Sequence, residues 1–452
     1  MSEGGLEAPI RHPIDWCSDD FYDEPPLVAE LERVFDICHG CRRCFSLCNA
    51  FPTLFDAVDE SESGELDSVP RPVFWDVVDE CYLCDMCYMS KCPYVPPHEW
   101  AVDFPHLMLR AKAKRFRDSG APLKDRLLAN TDRVGSLAGI PVVAEIVNAV
   151  NRNGVGRVLI EKTLGVDRSA PVPTYHRNTA RKRLSRLRNS PELEPVTSAT
   201  APKKVESVRG DEGRVVLYVT CYGNRNAPEI CEDLVVAFEH NGISVALASS
   251  EACCGMPRLE LGDLESVERA KDQNIPALLE WVEAGWDIVA PIPSCVLMFK
   301  QELPLLFPHD AAVQAVARAF FDPFEYLSRR HKKKLLNTDF KNSLGKVAYQ
   351  VPCHLRVQNI GLKTKSILEL VPDTQVEAIE RCSGHDGTYG VKARFREASL
   401  KIARPVISRV QRAECDHFVS DCPMAGAQIA GGLDGNISAK HPISLLRTAY
   451  GL

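Results

Sequence analysis

The chain of 452 residues carries 54 Lys and Arg against 61 Asp and Glu, which gives a formal net charge of -7 at pH 7. Its length predicts about three domains, its acidic balance argues against nucleic acid as the main partner, and it contains no run of about 18 uninterrupted apolar residues that would predict a transmembrane helix. The opening residues are polar and carry no secretion signal, so we expect the eighteen cysteines to lie in the reducing cytoplasm.

Eight of the cysteines form two tight runs near the amino terminus. The runs read Cys38-x2-Cys41-x2-Cys44-x3-Cys48 and Cys81-x2-Cys84-x2-Cys87-x4-Cys92-Pro93. Three cysteines separated by two residues can bind one face of a cubane iron-sulfur cluster, but so short a loop cannot also supply the fourth ligand. In two-cluster ferredoxins the other run supplies it. We therefore predict two [4Fe-4S] clusters, cluster 1 bound by Cys38, Cys41, Cys44 and Cys92, and cluster 2 bound by Cys48, Cys81, Cys84 and Cys87.

Two details depart from the usual ferredoxin pattern. The second run has four residues before its last cysteine where three are usual, and Asn49 replaces the customary proline in the first run. Structural zinc is the main competing interpretation, but zinc sites use paired CxxC motifs to make a tetrahedron and leave no role for a further cysteine. A disulfide framework fits a long chain without a secretion signal less well still. We favour iron-sulfur clusters, which carry electrons.

Between the cysteine runs and Gly213 the sequence predicts helices and a linker. Helical periodicity over residues 100–115 predicts a helix that closes a ferredoxin-like unit. Residues 136–150 are apolar over about four helical turns, and we favour packing in the core over contact with a membrane or another protein chain. The basic segment 177–188 fits a solvated helix face better than a contact with anionic lipid or an acidic partner. A linker rich in Pro, Ser, Thr, Ala and Lys follows it.

Beyond the linker a pattern of alternating strands and helices occurs twice. The predicted strands are 215–219, 243–248 and 288–292 in the first half and 347–351, 376–379 and 418–420 in the second, with helices at 228–240 and 366–370. A cysteine lies just past the carboxyl end of each strand, where open α/β sheets place their ligands. We expect these thiols to converge on one metal site in each half. The candidate ligands are Cys221, Cys253, Cys254 and Cys295 in the first half and Cys353, Cys382 and Cys422 in the second.

Several further motifs accompany these cysteines. They are residues 130–136 (NTDRVGS), 253–257 (CCGMP), 352–354 (PCH), 387–390 (GTYG), 421–422 (DC) and 441–443 (HPI). With the two cysteine runs, they resemble the CCG (cysteine-rich) domain family of heterodisulfide reductase, glycolate oxidase and lactate-utilisation iron-sulfur subunits. Within that family the resemblance to the C subunits of anaerobic glycerol-3-phosphate dehydrogenases covers nearly the whole chain.

This resemblance implies a fold of mixed α+β and α/β class. An α-helical, ferredoxin-like domain with two clusters would occupy residues 1–120, and a helical connector with a linker would follow at 121–213. Two tandem α/β CCG domains would occupy residues 214–342 and 343–452. The resemblance also implies an iron-sulfur carrier that exchanges electrons with a flavoprotein partner.

The chain departs from the five-cysteine pattern of the family's noncubane clusters. Met298 ends the last motif of the first half, where the family has a cysteine, so four cysteines remain, enough for a further cubane cluster. In the second half Ser383 and Ala425 replace two cysteines, and three remain.

For the second site three outcomes stay open. Its three cysteines bind a cluster with His354 or His385 as fourth ligand, or they are ordinary buried thiols of a vestigial site, or an open metal position binds substrate. Cys17, Cys231 and Cys415 lie outside all patterns and are expected to be unligated.

Two functions follow from these observations. The first is a relay subunit of an oxidoreductase complex, which passes electrons from a flavoprotein through the N-terminal clusters to a CCG-domain cluster and on to a quinone or other acceptor. The second is a catalytic subunit that reduces a disulfide at a CCG-domain cluster. No GxGxxG motif follows a strand, so we expect no flavin or nicotinamide of its own. We expect a cytoplasmic protein, with peripheral contact at the inner face of the cytoplasmic membrane as a further expectation.

Overall fold

The computed structural model describes residues 7–138, 140–188, 213–248, 250–434 and 437–452. These residues form 23 α-helices and eight β-strands, together with three short 3-10 helices at Asp19–Tyr22, Leu66–Ser68 and Ala393–Phe395 and one π-helix at Met298–Glu302. Within these residues, no helix combines the length and the apolar character that crossing a lipid bilayer requires. The segment 189–212, which holds most of the predicted linker, lies outside the described residues.

The part of the chain that carries the two cysteine runs is built from helices. They are α1 (Glu24–Cys41), α2 (Ala50–Asp59), α3 (Arg71–Glu80), α4 (Met86–Ser90) and α5 (Phe104–Ser119). Aromatic rings fill their shared core, with Phe35 against Phe74 at 5.2 Å and Phe51 against Phe104 at 4.8 Å between ring centroids. The helix predicted over 100–115 begins later, at Phe104, because the Asp103 side chain accepts a hydrogen bond from the His106 backbone N–H and caps it.

Five more helices follow, the last of which ends at Arg188. They are α6 (Leu123–Ala129), α7 (Thr131–Ala138), α8 (Pro141–Arg152), α9 (Gly154–Leu164) and α10 (Ala180–Arg188). The predicted core packing of 136–150 is wrong for most of its described side chains, because Leu137 and Ile146 are 64% and 56% exposed and only Ala144 is fully buried. The stretch lies on two helices, α7 and α8, which leave an apolar face uncovered.

The first α/β unit contains a parallel sheet of four strands. The strands are β1 (Arg214–Leu217), β2 (Ser244–Leu247), β3 (Asp287–Val289) and β4 (Phe320–Phe321), in the order β2-β1-β3-β4. Its helices are α11 (Cys221–Arg225), α12 (Pro228–His240), α13 (Met256–Leu259), α14 (Leu264–Glu283), α15 (Pro293–Leu297), α16 (Leu303–Leu306), α17 (Ala311–Ala319) and α18 (Pro323–Lys332). The central strands β1 and β3 are short and rich in β-branched residues, and all of their residues except Arg214 are buried, as parallel strands covered by helices require.

The second α/β unit repeats this topology. Its strands are β5 (Gly345–Gln350), β6 (Thr374–Ile379), β7 (His417–Ser420) and β8 (Ala439–Lys440), in the order β6-β5-β7-β8. Its helices are α19 (Cys353–Arg356), α20 (Lys363–Leu368), α21 (Arg396–Arg412), α22 (Pro423–Ala430) and α23 (Pro442–Tyr450). In both sheets the strand order reverses beside the first strand of the unit, and such a switch point opens a crevice at the carboxyl ends of the strands.

The prediction of two α/β units is confirmed, and each of the six predicted strands overlaps a strand of the structure. The bounds agree within two residues except at the strand predicted over 288–292, because β3 ends three residues earlier, at Val289. The helix predicted at 228–240 has those bounds in the structure. The strands β4 and β8 were missed because two residues are too few to carry an alternation pattern. The domain boundaries themselves stay a prediction.

The two units and the N-terminal helices pack on one another. Between the units, the Asp233 side chain of α12 accepts hydrogen bonds from Ser444 and Arg447 of α23. On the N-terminal side, Gly262 has a backbone φ of +78° and touches α5 so closely that a Cβ built on it would lie 2.5 Å from the Ala113 nitrogen. This glycine therefore allows the first unit to approach α5 backbone to backbone.

We expect Gly262→Ala to lower the thermal unfolding midpoint more than Gly64→Ala does. Both glycines have left-handed φ values, so both variants carry a backbone penalty of about 1–2 kcal/mol. Only Gly262 lacks room for a methyl group, and overpacking adds about 1–3 kcal/mol. Circular dichroism of the full chain measures both midpoints. Equal shifts would contradict the close approach of α5.

Candidate metal centres

The eight thiols of the N-terminal runs gather into two groups. Burial and the charges of Cys44, Cys92 and Cys41 raise the pKa of Cys38. Burial and the charges of Cys84 and Cys81 raise the pKa of Cys48. Each group thus contains one thiol of the other run, which is the crosswise grouping that the spacing predicts. The assignment of these thiols as cluster ligands stays a prediction.

The loops that carry these thiols turn through left-handed residues. Arg42, Leu83 and Asp85 have φ values of 53°, 57° and 60°. Such turns point successive thiols and backbone N–H groups toward the same side of a loop. Backbone N–H groups then donate to thiols, that of Leu83 to Cys81 and that of Met86 to Cys84.

This donor set fits an iron-sulfur cluster. Iron binds the thiolate form of cysteine, and hydrogen bonds to the sulfurs are one of the means by which a protein sets the potential of a cluster. In the described part of the chain, no three His, Cys, Asp or Glu side chains are arranged to hold one metal ion. The two observations are compatible, because the four thiols of a cubane bind four different irons and do not surround a single point.

The second thiol group lies against the second α/β unit. The Cys353 thiol hydrogen-bonds both Cys382 and Cys84, and these contacts raise the pKa of Cys353. The charge of Cys382 also acts on Cys48. The candidate ligands of cluster 2 and two candidate ligands of the second site therefore form one continuous thiol surface.

The third candidate of the second site, Cys422, has other immediate neighbours. It caps α22, where the backbone N–H groups of Ala425 and Met424 donate to its thiol. The Asp386 carboxylate connects it to the other two, because its charge acts on Cys422 and Cys353 and its Oδ2 lies 4.0 Å from the Cys382 sulfur.

Neither histidine proposed as a fourth ligand contacts this thiol surface by a hydrogen bond among the described residues. His354 Nδ1 lies 2.8 Å from the Ser294 hydroxyl, and its Nε2 is buried without a partner in the described structure. His385 is buried near Arg396, and its burial lowers its pKa to about 4. Ligation by either residue stays a prediction.

The four cysteines of the first site lie together. Cys253 hydrogen-bonds both Cys221 and Cys254, and Cys254 in turn hydrogen-bonds Cys295. The buried Tyr218 ring lies beside them, and its hydroxyl donates to the Ala252 carbonyl at 2.5 Å. Cys221 and Cys295 follow the neighbouring strands β1 and β3, so the switch point of the sheet accounts for their meeting.

The backbone conformation explains why the third residue of the Cys253-Cys254-Gly255 motif is a glycine. Its φ is +98°, a conformation that L residues rarely adopt, and a Cβ on it would meet the Met298 side chain at 3.6 Å. Met298, which ends the last motif of the first half, is fully buried, and its side chain lies beside this glycine. It opens the π-helix Met298–Glu302, and such turns are frequent at functional sites.

Helix α7 covers the first site from outside the sheet. The Asp132 carboxylate accepts a hydrogen bond of 2.5 Å from the Cys253 backbone N–H. Arg225 donates from the other direction to the Gly135 carbonyl and to the Ser136 hydroxyl, at 2.8 and 3.0 Å. In the sequence, the segment 130–136 stood out only as a family motif. These contacts show its physical role, which is to hold α7 over the first site.

A buried cluster of charges beside Cys84 was missed by the sequence analysis. The Arg11 guanidinium donates to both oxygens of Asp85, at 2.5 and 3.0 Å, and to Asp103, at 3.0 and 3.1 Å. Glu302 lies 3.5 Å from Arg11 and 3.4 Å from His106. No local pattern signals these pairs, because their members are far apart in the chain.

Comparisons with known proteins agree with this organisation. The family model described as "Cysteine-rich domain" (CCG) matches residues 215–300 and 347–430. The chain is 26% identical over 348 residues to the C subunit of anaerobic glycerol-3-phosphate dehydrogenase from Escherichia coli (strain K12). The matched region covers 76% of this chain and 81% of that protein.

Two further relatives cover less of the chain. The B subunit of the fumarate reductase (CoM/CoB) from Methanothermobacter marburgensis is 25% identical over 259 residues, 54% of this chain and 48% of that protein. Lactate utilization protein A of Bacillus pumilus is 30% identical over 184 residues, 40% of this chain and 75% of that protein.

We expect Asp132→Ala to loosen the first site and Asp132→Asn to preserve it. The Asn side chain can still accept the hydrogen bond of the Cys253 N–H, whereas Ala leaves that buried donor unpaired at a cost of about 1–3 kcal/mol. The measurement is iron retained per chain after anaerobic reconstitution and exposure to a chelator. If both variants lose iron equally, charge and not the hydrogen bond holds α7 on the site.

Proposed function

The chain belongs to the cysteine-rich (CCG) domain family, and we propose that it is the electron-relay subunit of a flavin-dependent dehydrogenase or a related oxidoreductase complex. Its relatives are named as subunits of a dehydrogenase and of a reductase and as a lactate utilization protein, which supports a general role in redox chemistry. The enzyme's substrate would be oxidised on a separate flavoprotein.

One observation carries the proposal. The Cys84 thiol of the N-terminal runs contacts the Cys353 thiol of the second α/β unit. A cluster held by the second thiol group would therefore lie directly against the second site, with no solvent or polypeptide layer between them. Such contact is what a chain of electron carriers needs.

The neighbouring contacts extend this route in both directions. The charge of Cys44 acts on Cys87, so the two N-terminal groups adjoin each other. On the other side, α19 packs on α15, and the His354 and Ser294 side chains meet between them, one residue from Cys353 and from Cys295. The order we propose is cluster 1, cluster 2, the second site and then the first site.

The proposed cofactors follow the thiol groups. Two [4Fe-4S] clusters in a ferredoxin-like N-terminal domain would be held by the crosswise groups, and a third cluster by the four cysteines of the first site. The second site has three cysteines, and its contact with Cys84 makes a cluster or a redox-active thiol there useful to the relay. Binding would require all these thiols to lose their protons.

A catalytic disulfide reductase is the less favoured function. The family's noncubane clusters need five thiolates, and the position of the fifth is taken by Met298, packed against Gly255. A thioether is a weaker ligand for iron than a thiolate.

The proposed partner is a flavoprotein, and the uncovered apolar face of α7 and α8 is a suitable surface for it or for the inner face of the cytoplasmic membrane. Leu137, Ile140 and Ile146 are exposed on α7, α8 and the turn between them, and Val155 and Leu159 are exposed on α9, which packs against α8. Exposed apolar patches of this kind mark protein or membrane interaction sites.

Iron analysis tests the cofactors. With four irons per cubane, the anaerobically purified chain should hold about eight iron atoms from the N-terminal runs and about twelve when the first site is filled. Cys84→Ser should lose about four of them, because one cluster lacks a ligand. The matched control is Cys415→Ser, which changes a partly buried thiol outside the patterns and should lose none. Zinc in place of iron would overturn the proposal.

Copurification tests the relay. The chain purified under anaerobic conditions from its native source should bring a flavoprotein with it, and a substrate of that flavoprotein should bleach the absorbance of the chain's clusters. Cys84→Ser should slow the bleaching, because it breaks the proposed route between the N-terminal clusters and the second site. Disulfide reduction by the chain alone, without a flavoprotein, would favour the catalytic function instead.

A further inference from the structure

The thiol groups predicted for clusters 1 and 2 lie in electrostatically different surroundings. In the first group, burial and neighbouring thiols raise the pKa of Cys44 to about 12, and the positive charges of the exposed Lys91 and Arg43 oppose that rise. In the second group, burial raises the pKa of Cys81, and the negative charge of Asp85 adds to the rise. Surroundings that disfavour the negative charge of a thiolate also disfavour the electron that reduces a cluster bound by it.

The negative charge beside the second group belongs to a buried set of ionisable side chains, which we call the Arg11 network. It consists of Arg11, Asp85, Asp103, His106 and Glu302. Arg11 pairs with all three carboxylates, and His106 lies 3.3 Å from Asp103 and 3.4 Å from Glu302. Three carboxylates face one guanidinium, so the network keeps an excess of negative charge even when His106 is protonated.

The Asp85 carboxylate is the member of this network that belongs to the cluster 2 loop. It follows Cys84 directly and accepts hydrogen bonds of 2.5 and 3.0 Å from Arg11 on its two oxygens. Burial raises the pKa of Asp85, and the charge and hydrogen bonds of Arg11 oppose that rise. Bidentate pairing of this kind stabilises the ionised form of a carboxyl group.

The network is shielded from water. The side chains of Asp85 and Glu302 are 4% and 5% exposed, and that of Arg11 is 12% exposed. A cavity of about 10 Å³ beside Asp85, His106 and Glu302 has room for at most one water molecule. Charges in such an interior are screened weakly and act more strongly than charges at the surface. The excess negative charge therefore reaches the thiols of the second group.

The N-terminal segment fixes Arg11 from two directions. The Tyr88 hydroxyl, beyond the cluster 2 loop, donates to the Ile10 carbonyl at 2.8 Å, and the Tyr88 ring centroid lies 4.6 Å from the Arg11 guanidinium carbon. On the other side, the Trp16 indole N–H donates to the Leu306 carbonyl at 3.1 Å. The segment therefore holds the network in one arrangement between the cysteine loop and the first α/β unit.

The opposite side of the second thiol group does not offset this charge. Cys81 borders a cavity of about 300 Å³ whose wall carries four acidic and four basic side chains, so their formal charges cancel. The Lys112 ammonium donates to the Cys81 carbonyl at 2.5 Å, and its charge opposes the rise of the Cys81 pKa. The charge of Asp386, in the same wall, acts in the other sense on Cys84. The excess charge of the Arg11 network therefore decides the balance.

We propose that the Arg11 network holds the reduction potential of cluster 2 below that of cluster 1. The inference rests on the proposed function and adds to it the order of two potentials and the residues that set it. Arg11 and Asp85 act on the cluster through charge and not as ligands. A single electron on the N-terminal part would reside on cluster 1, and cluster 2 would pass electrons to the second site without retaining them.

The test measures reduction potentials on the full chain with reconstituted clusters. An anaerobic redox titration followed by EPR gives one potential for each cluster, and pH 8 keeps the Asp85 carboxyl group ionised. Cys41→Ser and Cys84→Ser each lack one predicted ligand, so the potential that each variant loses identifies cluster 1 or cluster 2.

Two variants remove opposite charges beside the second thiol group. They are Asp85→Asn, which keeps the shape of the side chain, and Lys112→Met, which keeps most of its length. The matched control is Asp59→Asn, because Asp59 also pairs with an arginine of a cysteine loop, Arg42, but is 53% exposed. Glu302→Gln removes a charge of the network outside the cysteine loop and serves if Asp85→Asn does not bind its clusters.

We expect Asp85→Asn to raise the potential of cluster 2 and Lys112→Met to lower it. Each change should alter the equilibrium constant for reduction about tenfold, which is about 59 mV for one electron. Glu302→Gln should act in the same direction as Asp85→Asn, to a smaller extent. The potential of cluster 1 should stay constant in all three. Asp59→Asn should move neither potential, because water and salt screen an exposed charge.

Three results would overturn the inference. The first is a parent chain in which cluster 2 has the same potential as cluster 1 or a higher one. The second is an unchanged cluster 2 potential in Asp85→Asn and Glu302→Gln. The third is a shift of Asp85→Asn and Lys112→Met in the same direction, which would indicate a disturbed loop and not an effect of charge.

These outcomes are separate from those of the relay. If the order of potentials is wrong but a copurified flavoprotein reduces the clusters, the relay stands without the role of the Arg11 network. If no flavoprotein copurifies, the relay fails, and the potentials of the isolated chain still decide whether the network sets their order.

Discussion

The contact between Cys84 and Cys353 is the constraint on which the rest of the arrangement depends. A short loop between α3 and α4 must meet the carboxyl end of a strand that begins more than two hundred residues later in the chain. The two meet only because α5, the first unit and the second unit are packed in fixed positions around them. The close approach at Gly262 is one of these fixed points, and the docking of α12 on α23 is another.

Burying charge beside this contact requires compensation. Arg11, Asp85 and Glu302 lie in the interior next to Cys84, and an isolated charge there would cost several kcal/mol. Each instead has partners of opposite charge from different parts of the chain. These ion pairs attach the N-terminal segment that carries Arg11 to the cysteine loop. The same segment is attached to the first unit, because the Ile14 backbone N–H donates a hydrogen bond of 2.9 Å to the Leu305 carbonyl. Removing one member would leave the others unpaired.

The two α/β units share a topology but have diverged in their sites. In the first unit four thiols meet one another, and α7 covers them through Asp132. In the second unit two thiols turn toward the N-terminal runs instead, and Asp386 connects them with the third. One unit therefore has a self-contained centre, while the other completes a surface that the N-terminal part begins. A repeated fold can acquire two roles in this way, because sites are built on loops at the strand ends and not on the sheet itself.

The sequence by itself determined the two cysteine runs, the repeated strand-and-cysteine pattern and the α/β class of both units. These features follow from spacing and periodicity within short segments, where backbone geometry couples neighbouring residues. Only the tertiary structure decided that Cys84 meets Cys353, that Arg11 joins Asp85 and Glu302, that a cavity opens beside Cys81, and that much of 136–150 is exposed. Such contacts join residues far apart in the chain, and their partners are chosen by the packing of whole elements, which leaves no local signal to read.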